Sequence, residues 1–188
     1  YTYDKLIFAT GARPIVPPIQ NLEKTTNWST CRTLKDFDKI MKEGLLEDKQ
    51  NIVIIGGGLI GIEVAENIRE TKRNVVVLEG NKNILPMWTS KFSQYAESEL
   101  ESKGINVVTG QFAKSLIEEN GKLTHVELQD NTAVKADFVV ISTGIKPNTE
   151  LLQSKGVDTI PNGALIVNER METSIPDIYA AGDNCSIR

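Results

Sequence analysis

The chain has 188 residues, a formal net charge of −4 and 40% hydrophobic side chains. That length suits one sizeable core with flanking pieces, and an acidic balance without a basic tract argues against nucleic acid as a partner. No apolar run approaches the ~18 residues of a membrane span, no signal peptide is visible, and two distant cysteines, Cys31 and Cys185, suit a reducing cytoplasm. With His125 as the sole histidine there is no Cys/His cluster of the kind a structural zinc needs. The chain begins at Tyr1, close to the start of a strand, which points to a piece cut from a longer protein.

In chain order, Tyr3 to Ala9 reads as a short apolar strand running into Thr10-Gly11-Ala12-Arg13-Pro14. Pro17 and Pro18 make an extended connector. Trp28 to Arg32 reads as a short crossing segment. Thr33 is a plausible N-cap for a helix to about Glu43, with Leu34, Phe37, Ile40 and Met41 spaced as a core-facing stripe. A β-branched run, Ile52 to Ile55, is too short for a helix and reads as a buried parallel strand. Three glycines follow it, Gly56, Gly58 and Gly61, in G-x-G-x-x-G spacing. A helix is expected from Leu59 to about Thr71, with Ile60, Val64, Ala65 and Ile68 on one face. A second strand, Val75 to Leu78, ends in Glu79.

Beyond Glu79, the loop Gly80 to Trp88 leads to a helix from about Lys91 to Ser102. Thr89 or Ser90 can cap it, and Phe92, Tyr95, Ala96 and Leu100 are spaced for burial. Ile105 to Val108 is a third strand. Two strand-like runs, Ala113 to Glu118 and Leu123 to Gln129, are joined by Asn120-Gly121, a strong hairpin signal. Phe138 to Ser142 is another buried strand, followed by Thr143-Gly144-Ile145-Lys146-Pro147. A short helix from Thr149, a turn at Pro161-Asn162-Gly163, a brief strand at Leu165 to Val167 and the run Ile178 to Asp183 complete the chain. His125 alternates with apolar residues and should face solvent.

The glycine stretch has a physical logic. Gly56 permits the sharp turn out of the strand, Gly58 lets a pyrophosphate approach the backbone, and Gly61 lets the helix pack closely on the sheet. The phosphates would sit on the free N–H groups and positive dipole end of that helix. Glu79, 18 residues past Gly61, is placed to accept from the adenosine ribose hydroxyls. The flanking strand, helix, second strand and acid occur in the order that a dinucleotide-binding unit requires. The bland alternatives are a solvated strand-end acid at Glu79 and packed, unreactive thiols at Cys31 and Cys185.

One internal echo stands out. L-I-F-A-T-G-A-R-P at Leu6–Pro14 matches V-V-I-S-T-G-I-K-P at Val139–Pro147, a domain's length apart. Such a repeat points to two nucleotide-binding domains of related design, the second complete here and the first represented by its last strands.

These elements, with G-G-G-L-I-G-I-E-V-A-E and T-S-I-P-D-I-Y-A-A-G-D, resemble the flavin-dependent pyridine nucleotide–disulfide oxidoreductases, especially the NADH oxidase, NADH peroxidase and coenzyme A disulfide reductase branch. The resemblance covers essentially the whole chain. It implies an α/β fold: a Rossmann-like NAD(P)H domain over residues 50–145 with a β-hairpin or meander insertion, flanked by FAD-domain edges. Those edges are 1–49, including a connector helix, and 146–188. It implies NAD(H) and FAD as cofactors, a homodimeric full-length protein and a disulfide, peroxide or oxygen as electron acceptor. Gly56, Gly58 and Gly61 match the family's pyrophosphate turn, Ile60 its helix start and Glu79 its ribose acid. Trp88 matches an aromatic over the adenosine, and local packing is an equal alternative for it. Gly144 matches the glycine that lets the nicotinamide half pass. Glu63 matches a glutamate near the nicotinamide–flavin contact, or simply complements the helix dipole. On the FAD side, Thr10, Gly11 and Arg32 match cofactor-lining positions, and Gly182 with Asp183 matches the ribityl-binding turn. The family's redox cysteine would lie before Tyr1, so catalysis by this piece alone is not expected. Glu rather than Arg at 79 favours NADH over NADPH, an argument blunted by Lys82. The rival reading is a module that senses a dinucleotide without redox chemistry.

Overall fold

The computed structural model describes residues 2–188; the reading placed on Tyr1 lies outside them. The chain opens with strands β1 (Leu6–Phe8), β2 (Ala12–Pro14) and β3 (Trp28–Thr30), then helix α1 (Leu34–Lys39). Strand β4 (Asn51–Ile55), helix α2 (Leu59–Glu70) and strand β5 (Asn74–Glu79) follow. Next come α3 (Ser90–Ser102), β6 (Ile105–Thr109), the meander β7 (Ala113–Glu119), β8 (Lys122–Leu128) and β9 (Ala133–Lys135), and β10 (Phe138–Ile141). The last elements are β11 (Ile145–Pro147), α4 (Glu150–Gln153), β12 (Leu165–Val167), β13 (Ile178–Ala180) and β14 (Cys185–Ile187). They form two compact units, one of residues 16–144 and one joining the residues up to Ile15 to Ile145–Arg188.

The larger unit is built on a five-stranded parallel sheet in the order β3-β10-β4-β5-β6. Strand β4 is central because both of its faces are apolar. Ile52 and Ile54 pack with Val75, Val77 and Val140 against Ala65 and Ile68 of α2 and Leu100 of α3. Val53 and Ile55 pack with Leu78, Val139 and Ile141 against Leu116, Leu123, Val126 and Leu128 of the meander. Each Val, Leu or Ile so buried contributes about 1.5–3 kcal/mol. The result is three layers: helices, parallel sheet, antiparallel meander. Asn120 and Gly121 both take positive φ, 53° and 77°, as the two-residue hairpin turn requires.

Several sequence expectations change here. Trp28–Thr30, read as a crossing segment, is the edge strand paired with β10. Residues 16–49, within the stretch 1–49 expected to hold FAD-domain edges and a connector helix, cluster with the larger unit. Thr33 does cap α1, in a reciprocal capping box with Asp36. Yet the expected apolar stripe is not core: Leu34, Phe37 and Met41 are exposed, and Ile40 alone is buried. The α-helix stops at Lys39 and continues as one wide π turn through Gly44. In α3 the buried face is Ser93, with Ala96 half-buried, and Leu100, so Phe92 and Tyr95 are turned outward. On α2, Ala65 and Ile68 are buried, whereas Ile60 is exposed. His125 is half-buried rather than solvent-facing.

In the smaller unit, β1 pairs in parallel with β13, and β12 with β14. Phe8, Leu152, Val157, Leu165, Val167, Ile178 and Ala180 form its core. The two echoed sequences meet: β2 and β11 form an antiparallel ribbon in which Arg13 faces Lys146. Arg13 donates to Asn148 Oδ1 at 2.7 Å and pairs with Glu150.

Two outcomes follow from this geometry. Gly56 has φ +115° and a Cβ there would stand 2.7 Å from the Ser142 carbonyl carbon. Gly56→Ala should therefore cost about 2–5 kcal/mol, combining a strained φ with overpacking, and lower the melting temperature by several degrees. An unchanged melt would show that the turn is not held in this form. The second outcome concerns acid. The hydrogen bond from Arg13 holds the Glu150 carboxyl down to about 2. Its folded value is below its unfolded one, so its stabilisation is present above the ordinary carboxylate range and fades as pH falls from about 4.5 towards 2. Melts of the native chain and Glu150→Gln should differ at pH 7 and converge near pH 2. Parallel curves would remove the pair from the stability of this unit.

Candidate functional site: the glycine turn and its buried acid

Parallel strands end at one edge of a sheet, and ligands bind where the strand order reverses. Here the chain runs from β4 to β5 on one side, whereas β10 lies on the other. The reversal falls at the C-terminal ends of β4 and β10, where Gly56 and Ser142 sit. Ser142 Oγ donates to Gly56 O at 3.1 Å and Gly56 N–H to Leu78 O at 2.8 Å, fixing the turn. A Cβ on Gly61 would stand 2.7 Å from Ser142 Oγ, so α2 packs this close only with glycine there. At Gly58 a Cβ would meet nothing within 4 Å. This glycine leaves open space over the helix start. It is also the N-cap of α2, with no side chain capping it and no acid in the first turn. The first-turn N–H groups have no carbonyl one turn back to reach, so an open, positively polarised helix end faces that space.

Glu79 is buried, at 7% exposure, and is not the solvated strand-end acid of the bland reading. Its Oε2 accepts from Gly57 N–H at 2.8 Å. Its Oε1 accepts from the N–H of Asn81 at 2.8 Å and from Asn81 Nδ2 at 2.7 Å. Three donors compensate the burial of the charge, and a carboxylate with about four acceptor sites keeps capacity for a hydroxyl donor. Leu85 N–H in turn donates to Gly57 O, so the loop after β5 is bonded back to the glycine turn.

The remaining expected residues are placed as follows. Ile60 is exposed beside the helix start and Glu63 is exposed one turn on. Trp88 is half exposed and stacks on Phe92 with ring centroids 4.4 Å apart, so its packing partner is within its own segment. Gly144 has φ +105°, just past β10. Arg32 is exposed, and its N–H donates to Asp36 Oδ2. Burial, with the nearby carboxylates of Asp36 and Glu63, pushes the Cys31 thiol up, and burial does the same to Cys185. Both are free thiols that resist ionisation, in line with a packing role.

In the smaller unit Gly11 and Gly182 take positive φ, 63° and 89°, at two turns bridged by a residue that sequence reasoning missed. Asn184, wholly buried, donates through Nδ2 to Phe8 O at 2.8 Å and Thr10 Oγ1 at 3.2 Å. Thr10 and Gly11 are thereby tied to Gly182 and Asp183. Asn81 and Phe112 were missed as well. The Phe112 ring is 55% exposed and lies on Gly80, beside the acid. Nothing local in the sequence marks these three. Among the described residues no Cys/His/Asp/Glu group is placed to hold a metal, and no helix is long and apolar enough to cross a membrane. A cavity of about 520 Å³ lined by Glu66, Arg69, Lys103 and Ile105 lies at the opposite end of α2, away from the glycine turn.

Comparison with known proteins agrees with this geometry. The family model "Pyridine nucleotide-disulphide oxidoreductase" matches residues 1–188. An NADH oxidase of Enterococcus faecalis is 38% identical over 99% of this chain and 41% of its own length. Among solved structures, a NAD-dependent persulfide reductase from A. fulgidus superimposes with a TM-score of 0.88 at 35% identity, over 97% of this chain and 34% of that one. The water-forming NADH oxidase from Lactobacillus brevis bound to NADH, and an engineered form of it bound to NADPH, each give a TM-score of 0.89 at 28% identity, over 98% of this chain and 40% of theirs. The chain thus spans less than half the length of these relatives. The full-length family match, on a sheet with the glycine turn and acid in place, shows that the chain belongs to the pyridine nucleotide–disulphide oxidoreductase family.

Proposed function

We propose that this chain is the NADH-binding portion, with edges of the FAD-binding domain, of a flavin-dependent oxidoreductase that carries hydride from NADH through FAD to an acceptor. One juxtaposition supports the reading above all: an uncapped helix N-terminus, an open approach over Gly58 and a buried carboxylate with spare acceptor capacity, all at the reversal point of a parallel sheet. The pyrophosphate takes the first-turn N–H groups of α2, and the adenosine ribose diol donates to Glu79. The nicotinamide half runs past Gly144, with Ile60 and Glu63 on its helix side. Thr10, Gly11, Gly182 and Asp183 are the residues for FAD in the smaller unit, and the Asn184 brace fits a site whose two turns must hold one ligand. When bound, flavin supplies the two-electron relay; the protein supplies placement and electrostatics. The acceptor belongs to the disulfide, peroxide or oxygen class, and the full-length protein is read as a cytoplasmic homodimer.

Glu79 also bears on the choice of nucleotide, because a carboxylate repels a 2′-phosphate. The engineered NADPH-bound relative carries five substitutions, and their mutual spacing is that of Gly61, Glu79, Gly80, Asn81 and Pro86 here. They remove an acid and place an arginine directly after it. This chain keeps the acid and has glycine next to it, which supports NADH as its ligand.

Titration of the chain with NADH and NADPH by nicotinamide fluorescence tests the reading. NADH should bind with clear preference, and NADPH preference would transfer the selecting role from Glu79 to Lys82. Gly58→Val should weaken NADH binding about 100-fold, roughly 2.7 kcal/mol, because its side chain enters the pyrophosphate's path. Its melt should stay near that of the native chain, since the Cβ meets nothing. Unchanged NADH affinity in that variant would overturn the proposal. Glu79→Ala behaves differently. It should lose NADH binding and also about 1–3 kcal/mol of stability without any ligand, because the buried N–H of Gly57 is left unpaired. A melt equal to that of the native chain would confine Glu79 to ligand binding.

A further inference from the structure

Phe112 has no part in the roles assigned above, yet it stands beside the ribose acid. The connector from β6 to β7 runs along the exit of β5. Gln111 N–H donates to Glu79 O at 3.3 Å and Gly110 N–H to Asn81 O at 2.8 Å. This brings the Phe112 ring onto Gly80, where a Cβ would stand 2.5 Å from Cζ and 2.6 Å from Cδ1 of the ring. The backbone at Phe112 is anchored too, since its carbonyl accepts from Gln129 N–H at 3.0 Å. The ring itself is half exposed, an apolar face at a polar site.

We infer that Phe112 is a second determinant of NADH over NADPH, acting with Glu79 and resting on the dinucleotide reading above. A 2′-phosphate is a dianion and needs a cation beside the ribose. The residue directly after the acid is the natural place for that cation, one step along the chain from the group that touches the ribose. Here the ring occupies the space that any side chain at position 80 would enter. It thereby keeps a phosphate-binding cation out and offers an apolar surface in its place. Glu79 repels the phosphate by charge; Phe112 denies it a cation at position 80 by shape. Rejection through a missing partner adds to rejection by repulsion, and specificity is commonly built from both.

The test uses the full-length protein and two ligands without a nicotinamide, ADP-ribose and 2′-phospho-ADP-ribose, measured by calorimetry, so that no redox step intervenes. Gly80→Arg is compared with Gly80→Arg/Phe112→Ala. Removing the ring should tighten 2′-phospho-ADP-ribose at least tenfold while ADP-ribose changes by less than threefold. A ratio of the two affinities that stays within twofold would overturn the inference, and a ring that merely supports the fold would leave that ratio still. Should the arginine variants fail to fold, a melting cycle decides. Gly80→Ala should lower the melting temperature in the native background and by less than half as much in the Phe112→Ala background; equal shifts would overturn the steric argument. If the native protein binds ADP-ribose and the ratio stays fixed, Phe112 alone is excluded. If it binds neither ligand, the dinucleotide reading itself falls.

Discussion

The buried carboxylate of Glu79 is the constraint around which the larger unit closes. Pairing of β5 between β4 and β6 delivers it to the carboxyl edge of the sheet, at 7% exposure. A charge so buried is costly unless it is fully engaged. Gly57 N–H and the two donors of Asn81 meet that need, and in doing so they join the glycine turn to the loop after β5. Leu85 N–H on Gly57 O and the buried Ile84 beneath complete the closure. A Cβ on Gly57 would press on both Ile84 and Glu79, so the unlabelled middle glycine of G-G-G is held as tightly as its motif neighbours. The acid that the sequence singles out is thus a structural clamp already in the free protein.

That coupling bears on how a site of this kind changes nucleotide. Removing the acid relieves repulsion of a 2′-phosphate, but it also strips Gly57 of its hydrogen-bond acceptor. A cation introduced at position 80 meets the Phe112 ring. Neither change is local, since one disturbs the glycine turn and the other the connector before β7. Glu79, Asn81 and Phe112 are brought together by the fold from two separate crossings of the sheet edge.

The sequence carried the strands of the central sheet, the glycine turn and the acid because each is specified locally. A β-branched run of four or five residues, a glycine that alone fits positive φ and an Asn-Gly hairpin leave few alternatives. What was not legible depends on distant partners. Strands β3, β9, β11 and β14 are three residues each and exist through what pairs with them. The stripe of Leu34, Phe37 and Met41 has helical spacing but lies exposed, because periodicity identifies an apolar face without saying what covers it. In α3 the expected Ala96 and Leu100 do lie inward, but the first-turn position that is buried is Ser93, with the larger and more apolar Phe92 and Tyr95 exposed. Asn81, Phe112 and Asn184 were missed for the same reason, since their contacts arise only after the chain is folded.

The internal echo acquires a physical meaning in the smaller unit. Each copy is an apolar strand, then Thr-Gly with the glycine at positive φ, then a base and a proline. The larger unit begins at Val16 and ends at Gly144, so the chain must run into it and out again. The two copies supply those passages and pair with one another, Ala12–Pro14 against Ile145–Pro147. Facing bases at Arg13 and Lys146 would repel, and Arg13 is instead drawn to Asn148 and Glu150. Asn148 donates to Thr10 O, accepts from Thr10 Oγ1, and so links the ribbon to Asn184 and the Gly182 turn. A hydrogen-bonded chain therefore runs from the crossing strands to the turn read as flavin-binding. The Thr-Gly element recurs because both passages face the same demand: a strand must end, reverse its backbone at a glycine and leave as one half of a ribbon.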